Sequence, residues 1–320
     1  MRVTVFGAGA VGGLLGARLF KARHEVVLVA REEDVVAIRL NGLRSEGLFE
    51  GTFDITAVDA LTEGMSTEAV VLTVKAPDVR AAGEELARRL HPVPPILALQ
   101  NGLGIEDELE AGLRAGGATV SPGSFVRGVN SLGVTRVSPG VVRLAGEGEL
   151  ILGEGDDPDT ARTNALFADL LGSAGVRVRR VADLPRELWR KVLVNAAVNP
   201  VTADHGILNG QLSRDPWRGQ AEKLLLEARQ VAAAEGFGFT EAEAEAELWK
   251  VVRATARNRS SMLQDLDRGH RTEIDAISGA LLALGRRRGL KLPQTERIVA
   301  RIHAKEAEGT AGARPSGAAP

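Results

Sequence analysis

The sequence predicts an α/β N-terminal domain built on a doubly wound parallel sheet, followed by an all-α C-terminal domain. Short β-branched runs alternate with helical stretches through the first half, the pattern of parallel strands joined by helical crossovers. A glycine-rich turn sits between the first strand and the first helix. From Leu184 onward strand signals vanish and only helical stretches remain. A chain of 320 residues suits two domains better than one.

Taken in order, Arg2–Phe6 (RVTVF) reads as the first strand, and a helix runs from the glycines to about Ala22. Val26–Ala30 (VVLVA) is the second strand. Ala69–Val74, Ile96–Leu99 and Thr119–Val120 continue the series, with helical stretches near 78–90 and 104–114 between them. Residues 125–153 read as short antiparallel strands, with turns at Pro139-Gly140 and around Gly146 and Gly148. A helix near 159–173 and a strand at Val176–Val181 close the domain. Helical stretches follow near 184–203, 216–235, 241–258, 271–289 and 293–307, punctuated by Gly236 and by the run from Gly289 to Pro293. The expected division is a nucleotide-binding domain over 1–182, a helical substrate and catalytic domain over 183–308, and a Gly/Pro/Ala-rich disordered tail over 309–320.

Composition excludes several classes of function. The net charge of −2 gives no global attraction to nucleic acid or to an anionic membrane. Cysteine is absent, so disulfide scaffolds, thiolate metal sites and cysteine nucleophiles are ruled out. His205 and His270 have no partners at metal-ligand spacing, and no metal site is expected. Apolar runs fall far short of the ~18 residues that a membrane span needs. The N-terminus has no cleavage signature, its apolar start being a strand that runs into glycines. A cytoplasmic enzyme is the expectation, the lack of cysteine fitting a reducing compartment.

Residues 5–16 (VFGAGAVGGLLG) carry G-x-G-x-x-G at Gly7, Gly9 and Gly12. Gly7 permits the tight turn, Gly9 lets backbone approach a pyrophosphate, and Gly12 lets helix and strand pack closely. With Ala8, Ala10 and Val11 these residues form a cradle at a helix N-terminus, whose free N–H groups and partial positive charge suit phosphate. The motif lies directly between a strand and a helix, the context that makes it specific. At the end of the second strand, where an acid would bind a ribose 2′-hydroxyl, stands Ala30-Arg31. A guanidinium there favours a 2′-phosphate, so NADPH is the expected cofactor over NADH, although Glu32 and Glu33 oppose it by charge. Lys75 and Asn101 follow two further strands at their carboxyl ends, where ligands of open α/β sheets bind.

In the helical half, KVLVNAAVNPVTA (191–203) places Lys191, Asn195 and Asn199 four residues apart. On a helix they form one polar stripe among apolar residues. A surface stripe is the bland interpretation, and interhelical hydrogen bonds are another. Pro200 argues for a kink or a helix end at Asn199. A second polar cluster, SSMLQDLDRGHRTEID, holds Ser261 and Glu273 near a helix start, where Glu273 would also satisfy the helix dipole. Asn209 lies in an Asn-Gly turn.

VFGAGAVGG, VKAPD, LQNGLG, KVLVNAAVNPVTA…LNGQL and SSMLQDLDRGHRTEIDAISG, in this order, resemble the ketopantoate reductase (2-dehydropantoate 2-reductase) family from residue 1 to about 308. The resemblance implies a Rossmann-type domain with an all-α domain, the 6-phosphogluconate-dehydrogenase-like fold. It implies NADPH-dependent reduction of ketopantoate to (R)-pantoate in pantothenate and coenzyme A biosynthesis. In that comparison Arg31 and Lys75 match contacts to the phosphorylated ribose of NADPH, and Asn101 a contact to both cofactor and substrate. Lys191 matches the catalytic lysine, and Asn195, Asn199, Asn209 and Ser261 match substrate contacts. Glu273 matches a cofactor-side acid that supports the lysine. Pro77-Asp78 after Lys75 departs from the family pattern, so the adenine-side pocket is not carried over. A homodimer is expected by the same resemblance. Two rivals stand beside it: reduction of a different 2-keto acid, and a regulator that binds NADPH without turnover.

Overall fold

The structure, a computed structural model, describes residues 1–312, with side chains to 308. The remaining residues of the expected tail, 313–320, lie outside the described residues. The chain forms two compact units. The first comprises Met1–Gln100 and Gly104–Leu184; the second comprises Asn101–Leu103 and the residues from Pro185 onward.

The first unit opens with β1 (Arg2–Phe6), α1 (Ala10–Lys21), β2 (Glu25–Val29) and α2 (Glu32–Asn41). Three short strands follow, β3 (Leu43–Gly47), β4 (Gly51–Phe53) and β5 (Thr56–Val58). Then come β6 (Ala69–Leu72), α3 (Val79–Arg89), β7 (Ile96–Ala98), α4 (Ile105–Ala115) and β8 (Phe125–Asn130). The unit ends with β9 (Gly133–Ser138), β10 (Val141–Gly146), β11 (Leu150–Gly153), α5 (Pro158–Ser173) and β12 (Val178–Val181).

Eight strands make one sheet in the order β12-β11-β8-β7-β6-β1-β2-β5. All pairs are parallel except β8 with β11. The register aligns the carboxyl ends: Phe6 lies opposite both Val29 and Leu72, and Leu72 opposite Ala98. A second sheet, β4-β3-β10-β9, pairs β3 with a strand almost a hundred residues later. The antiparallel expectation for 125–153 holds for β9 with β10 and for β8 with β11, whereas β8 also runs parallel to β7.

The expected strand at Thr119–Val120 is absent. Those residues form no regular element, and β8 takes the fifth parallel position instead. Two β-branched residues before Pro122-Gly123 are too few to build a ladder, while FVRGVN beyond the turn buries four consecutive residues. The core follows the strand pattern. Val3, Val5, Leu28, Val71 and Leu97 meet Leu14, Leu15 and Leu19 of α1 in one apolar cluster. Each leucine side chain removed fully from water contributes about 1.5–3 kcal/mol. Gly16 brings α1 against β2, since a Cβ there would lie 2.5 Å from Leu28 Cδ2.

The second unit contains α6 (Leu184–His205), α7 (Trp217–Ala234), α8 (Glu241–Ala254), α9 (Ser261–Asp267), α10 (Ala280–Arg287) and α11 (Pro293–Gly312). A π-helix, Asp275–Gly279, leads directly into α10. Its apolar core runs along α6 from Trp189 to Ala203 and draws Leu224, Leu225, Leu248, Leu281 and Ile302 from the other helices. Of the kink or helix end expected at Asn199, the helix end does not occur, for α6 passes through Pro200 and continues to His205. Proline leaves the Ala196 carbonyl without its usual donor. The next turn is held by the Thr202 hydroxyl, 2.8 Å from Val198 O and 3.0 Å from Asn199 O. Burial of Val198, Val201 and Ala203 repays the missing backbone bond. No helix among the described residues is long and apolar enough to cross a membrane.

Candidate active site

The glycine turn is a packed device at the carboxyl ends of β1, β2 and β6. The Gly7 and Ala8 N–H groups both donate to Val29 O, at 2.9 and 3.0 Å, which docks the turn on the end of β2. Gly7 has φ +109°, and a Cβ there would lie 2.5 Å from Val74 N, so only glycine serves. At Gly12 a Cβ would lie 2.1 Å from Gly7 O. Gly9 differs from both. It precedes the first turn of α1 in extended geometry, no side chain caps the helix, and a Cβ would meet nothing within 4 Å. The turn therefore leaves open space in front of Gly9 and uncapped helix N–H groups behind it. Those are the features a pyrophosphate requires, so the residues present fit a dinucleotide.

Thr73, which sequence reasoning passed over, fixes the turn. Its hydroxyl donates to Gly7 O at 2.7 Å. Lys75 stands two residues further on and precedes a short 3₁₀ turn, Ala76–Asp78. The buried Gln100 amide closes the next loop by donating to Leu72 O and Val74 O, at 2.9 and 3.1 Å. Arg127, also buried, donates to Gln100 O and pairs with Glu106 at 2.7 Å. These two polar side chains, neither visible as a motif, hold the carboxyl edge of the sheet.

Arg31 is exposed and occupies the N-cap position of α2, two residues past β2. Its guanidinium makes no hydrogen bond or ion pair among the described residues. Glu32, Glu33 and Asp34 fill the first turn of α2. Two of these acids are paired: Arg136 of β9 reaches Glu33 at 2.6 Å and both oxygens of Asp34 at 3.0 and 3.1 Å. Burial works against the Arg136 charge, yet the hydrogen bonds and charges of Asp34 and Glu33 prevail and hold its pKa above the ordinary arginine value.

In the second unit the stripe on α6 is real and of an unusual kind. Between residues 191 and 200 only Lys191 and Asn195 are partly exposed, and every other position, Asn199 included, is buried. A broad solvated face is therefore absent. Lys191 and Asn199 lie about 12 Å apart along the axis at 1.5 Å per residue. One turn beyond Asn199, Thr202 is 2.7 Å from the hydroxyl of Ser260. Ser260 also caps α9 by accepting from Leu263 N–H, which brings the start of α9, with the exposed Ser261, to the end of the stripe.

Asn101 and Glu273, 172 residues apart, meet directly: Asn101 Nδ2 donates to Glu273 Oε2 at 2.8 Å. The π-helix holds them together. Leu103 N–H donates to Ala276 O at 2.9 Å, and Gly102, at φ +96°, lies so close that a Cβ would be 2.4 Å from the same oxygen. From α11, Glu306 accepts the Thr272 N–H at 2.7 Å and anchors the segment just before Glu273. The carbonyl-rich widened turn of a π-helix is a recurrent feature of functional sites. Asn209 is held by two contacts, its amide Nδ2 donating to Thr255 at the end of α8 while its backbone N–H donates to Asn258 O. No cluster of three or more His, Cys, Asp or Glu able to hold a metal occurs among the described residues.

A largely parallel sheet with a glycine turn at its carboxyl edge, in one chain with a helical unit carrying a Lys/Asn stripe, defines a two-unit oxidoreductase of the Rossmann class. Residues 3–157 match the family profile described as ketopantoate reductase PanE/ApbA, and residues 183–306 match that of its C-terminal part. The chain belongs to the ketopantoate reductase family. The 2-dehydropantoate 2-reductase of Archaeoglobus fulgidus is 35% identical over 290 residues, covering 90% of this chain and 92% of that protein. That of Halobacterium salinarum is 33% identical and covers 92% and 95%. Among solved structures, the 2-dehydropantoate 2-reductase from Geobacter metallireducens is 31% identical with a TM-score of 0.83, covering 95% of this chain and 99% of that one. A D-mandelate dehydrogenase, solved with NADH and anilino(oxo)acetate, has a TM-score of 0.89 over 97% of this chain and 99% of its own, at 24% identity. That likeness is one of fold.

Proposed function

We propose that the protein reduces ketopantoate (2-dehydropantoate) to (R)-pantoate with NADPH, in the cytoplasm, as a step toward pantothenate and coenzyme A. The observation that carries this reading is the Lys191–Asn195–Asn199 stripe on the part of α6 from residue 191 to 200 that is buried except at Lys191 and Asn195, within a chain of the ketopantoate reductase family. In this reading the first unit holds the cofactor. Backbone N–H groups of Ala10 to Gly12, with Gly9 leaving the space in front of them open, receive the pyrophosphate, and Arg31 and Lys75 receive the 2′-phosphate end. When bound, the nicotinamide supplies the hydride.

The chain's own residues do the rest. Negative charge grows on the C2 oxygen as the carbonyl is reduced. The Lys191 ammonium donates a hydrogen bond to that oxygen, stabilises it, and gives up a proton from Nζ to form the hydroxyl. Asn195 and Asn199 orient the substrate's carboxylate and hydroxyl without adding charge, and Ser261 and Asn209 extend the same recognition. Glu273 orients Asn101 through the 2.8 Å hydrogen bond and supports the lysine.

The test is cofactor oxidation by the purified protein against a panel of 2-keto acids with NADPH and with NADH. Fastest turnover with ketopantoate and NADPH is expected. Turnover of another 2-keto acid in preference would move the substrate assignment. Tight NADPH binding with no oxidation would favour a sensor.

A further inference from the structure

Arg31 carries the expected preference for a 2′-phosphate, yet it opens a helix whose first turn holds Glu32, Glu33 and Asp34. Three carboxylates there would repel a phosphate dianion, and a mobile Glu33 could also capture the Arg31 guanidinium. The structure resolves this conflict from a distant part of the chain. Arg136 crosses from β9 to bind Glu33 Oε1 at 2.6 Å and clasps both Asp34 oxygens at 3.0 and 3.1 Å. Asp34 accepts in addition from Gly140 N–H at 3.0 Å, so the β9–β10 turn is tied to the same carboxylate. The Arg136 side chain is only 17% exposed and that of Asp34 7%, so the pair is screened little by water, while Glu33 remains half exposed.

We infer that Arg136 is a positioning residue for cofactor choice: it holds Glu33 and Asp34 away from Arg31 and cancels one carboxylate charge beside the 2′-phosphate position. This rests on the reading of Arg31 as the 2′-phosphate ligand. Arg136 itself touches neither cofactor nor substrate in this assignment and acts through the two acids.

The sign of the effect follows from charge. NADH lacks the 2′-phosphate, so the local field matters little to it, whereas NADPH feels it directly. Removing one positive charge near a dianion, in a medium between protein and water, weakens binding by about three- to tenfold. The binding of NADPH and NADH should be measured by fluorescence titration in the wild type, Arg136→Gln, Arg136→Lys, Arg136→Gln with Glu33→Gln, and Arg31→Ala, with the thermal midpoint of each apo protein.

Arg136→Gln should weaken NADPH by about three- to tenfold while NADH changes by less than about twofold. The added Glu33→Gln should restore most of the NADPH affinity, and Arg136→Lys should keep the preference because it keeps the charge. Equal losses for both cofactors, or no rescue by Glu33→Gln, would reduce Arg136 to a brace of the fold and overturn the inference. Loss of the preference in Arg136→Lys as complete as in the glutamine variant would overturn it too. If Arg31→Ala is selective against NADPH and Arg136→Gln is not, the inference about Arg136 fails alone. If the wild type binds NADH as tightly as NADPH, the reading of Arg31 falls and this one with it.

Discussion

Substituting alanine at Gly9 and at Gly12 separates the two tasks of the glycine turn. At Gly12 the new Cβ would lie 2.1 Å from Gly7 O and 2.4 Å from Thr73 Oγ1. One obstacle is backbone and the other holds that backbone, so neither can swing aside. Overpacking of this kind costs up to about 3 kcal/mol. For a unit of this size that lowers the thermal midpoint by about 6–12 °C. At Gly9 a Cβ would meet nothing within 4 Å, and φ −72° suits an L residue. Alanine there should leave the midpoint unchanged or raise it slightly, because it restricts the unfolded chain by about 0.4–1 kcal/mol. The methyl group would instead occupy the space a pyrophosphate oxygen needs. Losing one charge-assisted hydrogen bond of about 1.5–3 kcal/mol weakens NADPH by about 10- to 100-fold. Calorimetry of the apo proteins, paired with NADPH titration, reads both effects. A Gly9→Ala protein that binds NADPH like the wild type would refute the cradle. One destabilised as much as Gly12→Ala would refute the packing argument.

Four further outcomes are expected. Lys191→Ala should lower turnover by about 10²–10⁴-fold, the range for loss of a general acid, while NADPH binding persists, as steady-state rates and titration would establish. Arg31→Ala should raise the Michaelis constant for NADPH more than for NADH, and equal effects on both would remove Arg31 from phosphate recognition. Ser260→Ala should lower stability by about 1–2 kcal/mol in chemical denaturation, since it deletes the α9 cap and the Thr202 contact together. Glu243 has its pKa lowered chiefly by the Thr240 backbone hydrogen bond, so its capping contribution is complete above the ordinary value of 4.5 and fades as pH falls through the lower folded value. Glu243→Gln should flatten that part of the acid limb of the stability profile.

Much of this was legible because it is local. RVTVF followed by GAGAVG specifies a strand, a turn and a helix within sixteen residues, and period-four spacing alone placed Lys191, Asn195 and Asn199 on one face. What escaped was decided by partners far away in the chain. Strands β3 and β4 have few β-branched residues, and besides β4 the partner of β3 is β10, almost a hundred residues later. Thr73, Gln100 and Arg127 are ordinary residues by type, and only their burial beneath the carboxyl edge gives them a task. Pro200 argued locally for a kink or a helix end, and apolar burial along the last turns of α6 outweighs the second of these. The sequence left Glu33 as an objection to Arg31; that carboxylate is bound by a guanidinium a hundred residues away.

Asn101–Leu103 is encoded amid the sheet strands yet packs as part of the helical unit. A helical half produced alone from Pro185 would thus lack three of its own residues, and Glu273 would lose its amide partner. The same bookkeeping governs recombination between relatives. A crossover near residue 184 draws Asn101 from one parent and Glu273 from the other, while the Ala276 carbonyl must still receive the incoming Leu103 N–H. Chimeras should tolerate exchange at that junction only when both parents carry a matched loop and π-turn, which makes this pair inherit as one unit despite the 172 residues between them.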